Sequence, residues 1–145
     1  MNIPVKILND LAKLPTRGSN AAAGYDLYAA TECDIEIRPH STQKVETGLS
    51  LELPENTFAA IFARSGIATK RGLRPANCVG VIDSDYRGEI IVALHNDTDE
   101  TQIIDAHERI AQIILLPYIP MEFTQVDELS DTERGDGGFG SSGRK

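Results

Sequence analysis

Apolar and polar residues alternate in short runs along most of the chain, as they do in half-buried β-strands. The clearest run places Leu49, Leu51 and Leu53 against Ser50 and Glu52. The other predicted strands lie at residues 3–8, 25–30, 35–37, from 45 onward, 58–63, 103–104 and 110–119, with a last weak strand at 123–126. Because turn signals separate these runs, and the small-residue stretch 16–26 is predicted to be a long loop, the pattern indicates an all-β sandwich or barrel.

One segment, residues 65–71, is predicted to be helical, with Ser65 as its N-cap and Gly72 as its terminator. Residues 77–90 predict a β-hairpin, because β-branched runs at both ends flank a polar turn that contains glycine. Asp83 directly follows the first run, and a carboxylate at the end of a buried strand is rigidly held and partly desolvated, which suits a general base. The alternative is an ordinary turn in which the Asp and Ser side chains bond the backbone.

Composition narrows the class of protein. The chain has 145 residues, a net charge of −8 and 41% hydrophobic residues, which fits one globular domain. The acidic balance argues against a nucleic-acid or anionic-membrane binder, although Arg64, Lys70, Arg71 and Arg74 form a local basic run. No apolar stretch approaches membrane-spanning length, no signal peptide is recognised, and the two cysteines form no CxxC pair. We therefore expect a soluble intracellular protein, cytoplasmic, or nuclear if its source is eukaryotic or viral.

The composition changes after Val126. Residues 127–145 are rich in Asp, Glu, Ser, Gly and Arg and cannot bury enough apolar surface to fold alone. We expect a β-barrel domain over residues 1–126 and a flexible, glycine-rich C-terminal tail over 127–145. The run Gly135–Gly140 matches G-x-G-x-x-G, but no strand precedes it and no helix follows, so a dinucleotide site is rejected.

Two segments carry groups suited to a phosphate ester. Arg64, Ser65 and Gly66 combine a guanidinium, a hydroxyl and an unhindered backbone at a possible helix start. The tail adds Arg134, accessible backbone N–H groups and two serine hydroxyls. Phe139 is suited to stack over a base, or alternatively to anchor the tail on a neighbouring surface.

Five motifs, in order and with fitting spacing, carry a family resemblance. They are Ala23-Gly-Tyr-Asp-Leu-Tyr-Ala-Ala30, Ala63-Arg-Ser-Gly-Ile-Ala-Thr-Lys70, Gly80-Val-Ile-Asp-Ser-Asp-Tyr-Arg-Gly88, Arg109-Ile-Ala-Gln112 and Arg134-Gly-Asp-Gly-Gly-Phe-Gly-Ser-Ser-Gly143. Over essentially its whole length the chain resembles homotrimeric deoxyuridine triphosphate nucleotidohydrolases (dUTPases).

The resemblance implies a jelly-roll-like β-barrel and a homotrimer with active sites at its subunit interfaces, each closed by a C-terminal tail. It implies Mg²⁺-assisted hydrolysis of dUTP to dUMP and pyrophosphate, by attack of water on the α-phosphate. This reaction limits uracil incorporation into DNA and supplies dUMP for thymidylate synthesis. No nucleic-acid or membrane partner is implied.

The resemblance also assigns roles to residues. Asp83 would be the catalytic base, Tyr86 would pack under the deoxyribose, and Asn77 would read the uracil edge with the backbone of Gly80, Val81 and Ile82. The phosphate chain would be held by Arg64, Ser65, Gly66 and Gln112. The tail would contribute Arg134, Phe139, Gly140, Ser141 and Ser142. Asp26 would be a support residue near the water shell of Mg²⁺, which substrate phosphates and water would hold without a direct protein ligand.

Three alternatives remain open at the level of sequence. A dCTP deaminase has a related fold, but it needs an acid/base group near C4 of the base. A binding protein that uses its dUTP-bound state as a regulatory switch could coexist with full catalysis. A structural jelly roll would have no use for Asp83.

Overall fold

The computed structural model describes residues 1–138, which contain twelve strands and one helix. The elements are β1 Val5–Ile7, β2 Thr16–Arg17, β3 Tyr25–Tyr28, β4 Ile35–Ile37, β5 Thr42–Glu46, β6 Leu49–Leu51, β7 Thr57–Phe62, α1 Ser65–Arg71, β8 Leu73–Pro75, β9 Gly80–Ile82, β10 Ile91–Asn96, β11 Gln102–Ile104 and β12 Arg109–Pro117. The all-β prediction is confirmed. Within this part of the chain, no helix has the length and apolarity to cross a membrane.

All the strand pairs are antiparallel. One sheet has five strands in the order β2-β3-β12-β7-β9, and a second has three in the order β5-β10-β8. Two further pairs, β1-β6 and β11-β4, complete the jelly-roll-like fold. Strands that are far apart in sequence therefore lie side by side, as β12 does between β3 and β7.

One hydrophobic core joins these sheets. Leu27, Leu49, Leu94, Ile104 and Ile110 come from five different strands, and each is fully buried. The period of two explains this burial, because successive side chains of a strand point to opposite faces. In β10, for example, Val92, Leu94 and Asn96 are buried and the residues between them are not.

Buried Asn96 fixes the loop that follows β10. Its Nδ2 donates to the carbonyl oxygens of Ile37 at 3.0 Å and Glu100 at 2.7 Å. Its Oδ1 accepts from the backbone N–H of Thr98 at 2.9 Å. The amide is therefore well satisfied, as a buried polar group must be, and the loop carrying residues 97–100 has a defined course.

Two local predictions fail near the ends of elements. No strand forms at residues 123–126, and Phe123 is 90% exposed. Residues 16–26 are not wholly loop, since β2 pairs with β3 at their start.

The helix prediction is confirmed at residues 65–71, and Gly72 ends the helix in the left-handed conformation with φ 60°. Ser65 is not the N-cap. Arg64 occupies that position with extended φ and ψ, and no side chain caps the helix. The Ser65 hydroxyl is therefore not used in capping.

The predicted hairpin at residues 77–90 is wrong. β9 pairs with β7, whereas β10 pairs with β5 and β8, so the segment passes from one sheet to the other. β6 and its flanking residue hold the far end of the segment. Ser50 Oγ donates to the carbonyl of Arg87 at 2.8 Å, and the N–H of Gly48 donates to Glu89 Oε1 at 2.7 Å.

Candidate active site

Three of the five motifs meet at one polar cluster, which we call the arginine–aspartate cluster: Asp26, Arg64, Arg109 and Gln112. Asp26 Oδ1 accepts from Arg64 Nε at 2.7 Å, and Asp26 Oδ2 accepts from Arg109 Nη1 at 3.2 Å. The Asp26 side chain is only 13% exposed, and that of Arg64 is 27% exposed. One carboxylate with two guanidinium groups leaves a net charge of +1, which suits an anionic ligand.

The pairing of β12 brings Gln112 into this cluster. Gln112 lies opposite Asp26 of β3 on one side and Phe62 of β7 on the other. Its Nε2 donates to the carbonyl of Ala63 at 2.9 Å. A Cβ at Gly24 would stand 2.4 Å from Gln112 Oε1, so the glycine leaves room for this amide.

The start of α1 adds exposed groups beside Arg64. Ser65 and Gly66 are both exposed. A Cβ at Gly66 would meet nothing within 4 Å, so packing within the chain does not require glycine there. The space over Gly66 is available to a ligand or to another chain.

Asp83 lies in a different setting, which we call the Asp83 segment, residues 80–89. Asp83 is exposed, so the expectation of a partly desolvated carboxylate is not met within the single chain. The short strand β9 is an edge strand with only its β7 side paired, which leaves the residue after it open to solvent. The large apolar side chains of Val81 and Tyr86 are also exposed, at 58% and 44%.

Local contacts give the Asp83 segment its shape. The N–H of Tyr86 donates to the carbonyl of Asp83 at 3.2 Å, and the Tyr86 hydroxyl donates to the carbonyl of Glu89 at 3.0 Å. A Cβ at Gly88 would stand 2.3 Å from the Tyr86 hydroxyl oxygen, so glycine is needed for this close approach. The tyrosine ring is thus fixed while much of its surface stays accessible.

Strand register separates Asp83 from Arg64. Ile82 pairs with Ala59 and Gly80 with Ile61, so Asp83 follows the end of β9 that lies farthest from α1. Arg64 follows the opposite end of β7. At about 3.3 Å per residue, the two positions are on the order of 20 Å apart along the strand direction. One chain therefore does not place Asp83 beside the arginine–aspartate cluster.

Comparisons with known proteins identify the family. The dUTPase family model matches residues 10–143. The chain belongs to the dUTPase family. A deoxyuridine 5'-triphosphate nucleotidohydrolase of Desulfitobacterium hafniense is 49% identical over 132 residues, covering 90% of this chain and 87% of the relative. One from Hydrogenobaculum sp. is 45% identical over 145 residues and covers the whole of both chains.

Solved dUTPases share the fold. The structure of a point mutant of the Staphylococcus bacteriophage 80alpha dUTPase with dUpNHpp has a TM-score of 0.89 and 28% sequence identity, and the match covers 98% of each chain. The jelly-roll-like prediction is thus confirmed. These relatives are deoxyuridine triphosphate nucleotidohydrolases, which favours phosphate hydrolysis over deamination.

Within this dUTPase family member, the tail residues lie partly outside the described chain. Arg134 is exposed, and its Nε donates to the carbonyl of Gly137 at 2.8 Å, so its contact is within the tail. Phe139, Gly140, Ser141 and Ser142 lie outside the described residues. Their roles stay predictions, as does the division of the chain at residue 126.

One member of the cluster was not singled out from the sequence as a site residue. Arg109 opens the fourth motif, but its role becomes visible only through its bond to Asp26 and the 3.5 Å contact of Arg64 Nη1 with its carbonyl oxygen. In the sequence, Arg109 stands directly before the apolar run at residues 110–119 and three residues ahead of Gln112. A charged residue there predicts the end of a strand, but the pattern does not identify its partner.

The structure also has an apolar groove of about 630 Å³. Leu53, Tyr25 and Ile113 are among the residues that line it, and it contains none of the predicted site residues. Residues 1–138 also contain no group of three or more His, Cys, Asp or Glu side chains arranged to hold a metal ion. The candidate site therefore rests on the arginine–aspartate cluster and the Asp83 segment.

Proposed function

We propose that this chain hydrolyses dUTP to dUMP and pyrophosphate, at active sites assembled between copies of a homotrimer. The observation that carries the proposal is the meeting of three family motifs in the arginine–aspartate cluster, beside an exposed helix start. Family membership identifies dUTP as the substrate, and the cluster provides positive charge for binding its triphosphate.

The arginine–aspartate cluster is the phosphate-binding half of the proposed site. Asp26 bonds the guanidinium groups of Arg64 and Arg109, so the two cations are held together before substrate arrives. Preorganised charge is effective because no reorganisation is needed at the moment of reaction. Ser65, Gly66 and Gln112 complete this half with a hydroxyl, open backbone and a side-chain amide. In this role Asp26 is a support residue.

The Asp83 segment is the catalytic half. Asp83 accepts a proton from water as the water oxygen attacks the α-phosphorus, and the bond from that phosphorus to the bridging oxygen breaks to release pyrophosphate. Phosphoryl transfer depends mainly on positioning and charge neutralisation. The exposure of Asp83 in one chain supports a site that a neighbouring copy completes, because a base works best where water is excluded around the reacting groups.

Selectivity for the nucleoside comes from the same segment. Tyr86, held over Gly88, packs under the deoxyribose and leaves no room for a 2′-hydroxyl. Asn77 and the backbone of residues 80–82 pair with the uracil edge. A site built for uracil leaves buried polar groups unpaired when cytosine enters, which can cost about 10⁴-fold in discrimination.

Mg²⁺ is the proposed cofactor, carried by the substrate phosphates and water. Its chemical contribution is neutralisation of phosphate charge. Both Asp26 oxygens already accept an arginine N–H, and each retains a second lone pair that can accept from a metal-bound water. This donor set fits an outer-sphere contact better than direct ligation.

The tail closes the proposed site. Arg134, Ser141 and Ser142 bind the γ-phosphate, and Phe139 covers the base beside Gly140. Ordering such a segment over the substrate would expel water and complete the catalytic groups. Arg134 of the described chain bonds only its own tail backbone, which is compatible with a segment that finds its partners on another surface.

The test is pyrophosphate release from dUTP, dCTP, dTTP and UTP with Mg²⁺, by wild type and Asp83→Asn. We expect release from dUTP alone, and a fall in kcat of about 10³-fold in the variant with dUMP affinity kept. Release from no nucleotide, with dUTP still bound, would favour a nucleotide sensor over an enzyme. An equal collapse of affinity and turnover in Asp83→Asn would remove the base role.

A further inference from the structure

Asn77 stands in a strained turn between β8 and β9. The N–H of Cys78 donates to the carbonyl of Pro75 at 2.9 Å, and the N–H of Val79 donates to the carbonyl of Asn77 at 2.7 Å. The second bond closes a γ-turn centred on Cys78, whose φ is +64°. A γ-turn with positive φ is rare and strained for a residue with a side chain. Such a conformation persists only where neighbouring structure holds it.

Arg74 contacts this turn with one nitrogen. Its Nη1 lies 3.3 Å from the carbonyl oxygens of Pro75 and Ala76, and 3.9 Å from the sulfur of Cys78. Each contact is long, but all three converge on the backbone and side chain that flank Asn77. The guanidinium of Arg74 therefore connects β8 to the turn.

Asp97 fixes the guanidinium in that direction. Arg74 Nε and Nη2 donate to the two carboxylate oxygens of Asp97 at 2.8 and 3.1 Å, which is a two-point fork that sets the plane of the group. Asp97 is itself well anchored, since its N–H donates to the carbonyl of Gly72 at 2.9 Å and it follows buried Asn96. The third nitrogen of Arg74 is therefore left to face the turn.

We propose that Arg74 and Asp97 are positioning residues, which hold the strained turn at residues 75–79 and so place Asn77 for reading the base. The inference rests on the proposed function, in which Asn77 contacts uracil. Neither residue needs to touch the substrate.

The exposure of the pair separates this role from a general structural one. The side chains of Arg74 and Asp97 are 37% and 45% exposed. Exposed ion pairs contribute little to folding stability. Loss of the pair should therefore disturb base recognition more than it disturbs the fold.

The test compares Arg74→Lys and Asp97→Asn with Asp99→Asn as the matched control. Asp99 lies in the same loop as Asp97, but it pairs with His40 at 2.8 Å. Lysine keeps the charge but has neither the fork nor the third nitrogen, so a role that needs charge alone would survive Arg74→Lys.

In the first two variants we expect KM for dUTP and Kd for dUMP to rise about tenfold, with kcat and the melting temperature nearly unchanged. The preference for dUTP over dCTP should fall by a similar factor. Asp99→Asn should match wild type.

Three results would overturn the inference while leaving the proposed function intact. The first is Arg74→Lys and Asp97→Asn behaving as Asp99→Asn does. The second is full activity in Arg74→Lys alone. The third is loss of melting temperature in step with loss of activity. Wild type that neither hydrolyses dUTP nor binds dUMP would instead remove the proposed function itself.

Discussion

The arginine–aspartate cluster and the Asp83 segment carry the two halves of the proposed chemistry, yet they are built differently. Asp26 is 13% exposed and bonds two arginines, Arg64 at the start of α1 and Arg109 of β12. Asp83 is exposed, and its segment holds its shape through contacts to its own backbone and to Ser50 of β6. The first group is complete within one chain. The second presents a base and apolar side chains to the outside, as a surface that another copy completes would do.

The difference predicts that stability and activity separate between the two carboxylates. Asp26→Ala leaves two guanidinium groups facing each other without their shared partner, so the free energy of unfolding should fall by about 2 kcal/mol. Asp83→Asn removes only an exposed charge, and its unfolding free energy should stay within about 0.5 kcal/mol of wild type. Urea unfolding of both variants measures this. Equal destabilisation by the two substitutions would show that Asp26 is no more important for the fold than Asp83.

Gly66 sharpens the comparison at the exposed helix start. Because a Cβ there meets nothing within 4 Å, Gly66→Ala should fold normally and gain about 0.5 kcal/mol from helix propensity. If phosphate approaches the backbone there, kcat/KM for dUTP should fall about tenfold, since small displacements of substrate are costly. Thermal unfolding and steady-state kinetics give the two numbers. Unchanged kcat/KM would remove Gly66 from the site.

Gly24 is the control for that substitution. A Cβ at Gly24 would stand 2.4 Å from Gln112 Oε1, so alanine there would displace the Gln112 amide. Gly24→Ala should therefore lower activity through a protein side chain and give no gain in stability.

The smallest expected effect is the loss of the stability contributed by Asp97 at low pH. The hydrogen bond from Arg74 holds the pKa of Asp97 below its usual range, with His95 and His40 acting in the same direction. Because the pKa of Asp97 is lower in the folded state than in the unfolded state, its carboxylate stabilises the fold when the pH is above the ordinary aspartate pKa. This stabilisation is lost as the pH falls through the lowered pKa of the folded state. The melting-temperature difference between wild type and Asp97→Asn should be small because the pair is exposed. It should stay constant from about pH 8 to 5 and shrink below about pH 4. A difference that persists unchanged in strong acid would show that the Asp97 carboxylate does not carry the effect.

Sequence patterns predicted the elements of this fold better than the contacts between them. The alternation around Leu49–Leu53 and the helix ending at Gly72 depend on residues close in the chain, so local patterns reveal them. The pairing of β9 with β7 instead of β10 is a long-range choice, and a turn between two apolar runs does not encode it. The hairpin prediction at residues 77–90 failed for this reason.

The candidate site divides in the same way. Motif resemblance selected Asp26, Arg64 and Gln112, and the structure brings them together. It could not select Arg109, whose bond to Asp26 crosses between β12 and β3, nor Arg74 with Asp97. Nor could it reveal that Asp83 is exposed in one chain, because exposure depends on which strand lies at the edge of the sheet.

The central claim is that one active site combines the arginine–aspartate cluster of one copy with the Asp83 segment of another. The direct measurement is complementation between Arg64→Ala and Asp83→Asn, each inactive alone, after co-refolding in equal amounts. In a symmetric trimer with random mixing, about a quarter of the sites should receive both intact halves, and pyrophosphate release from dUTP should recover to about that fraction of wild type. No recovery at any mixing ratio, with mixed oligomers present, would mean that each site is built within a single chain.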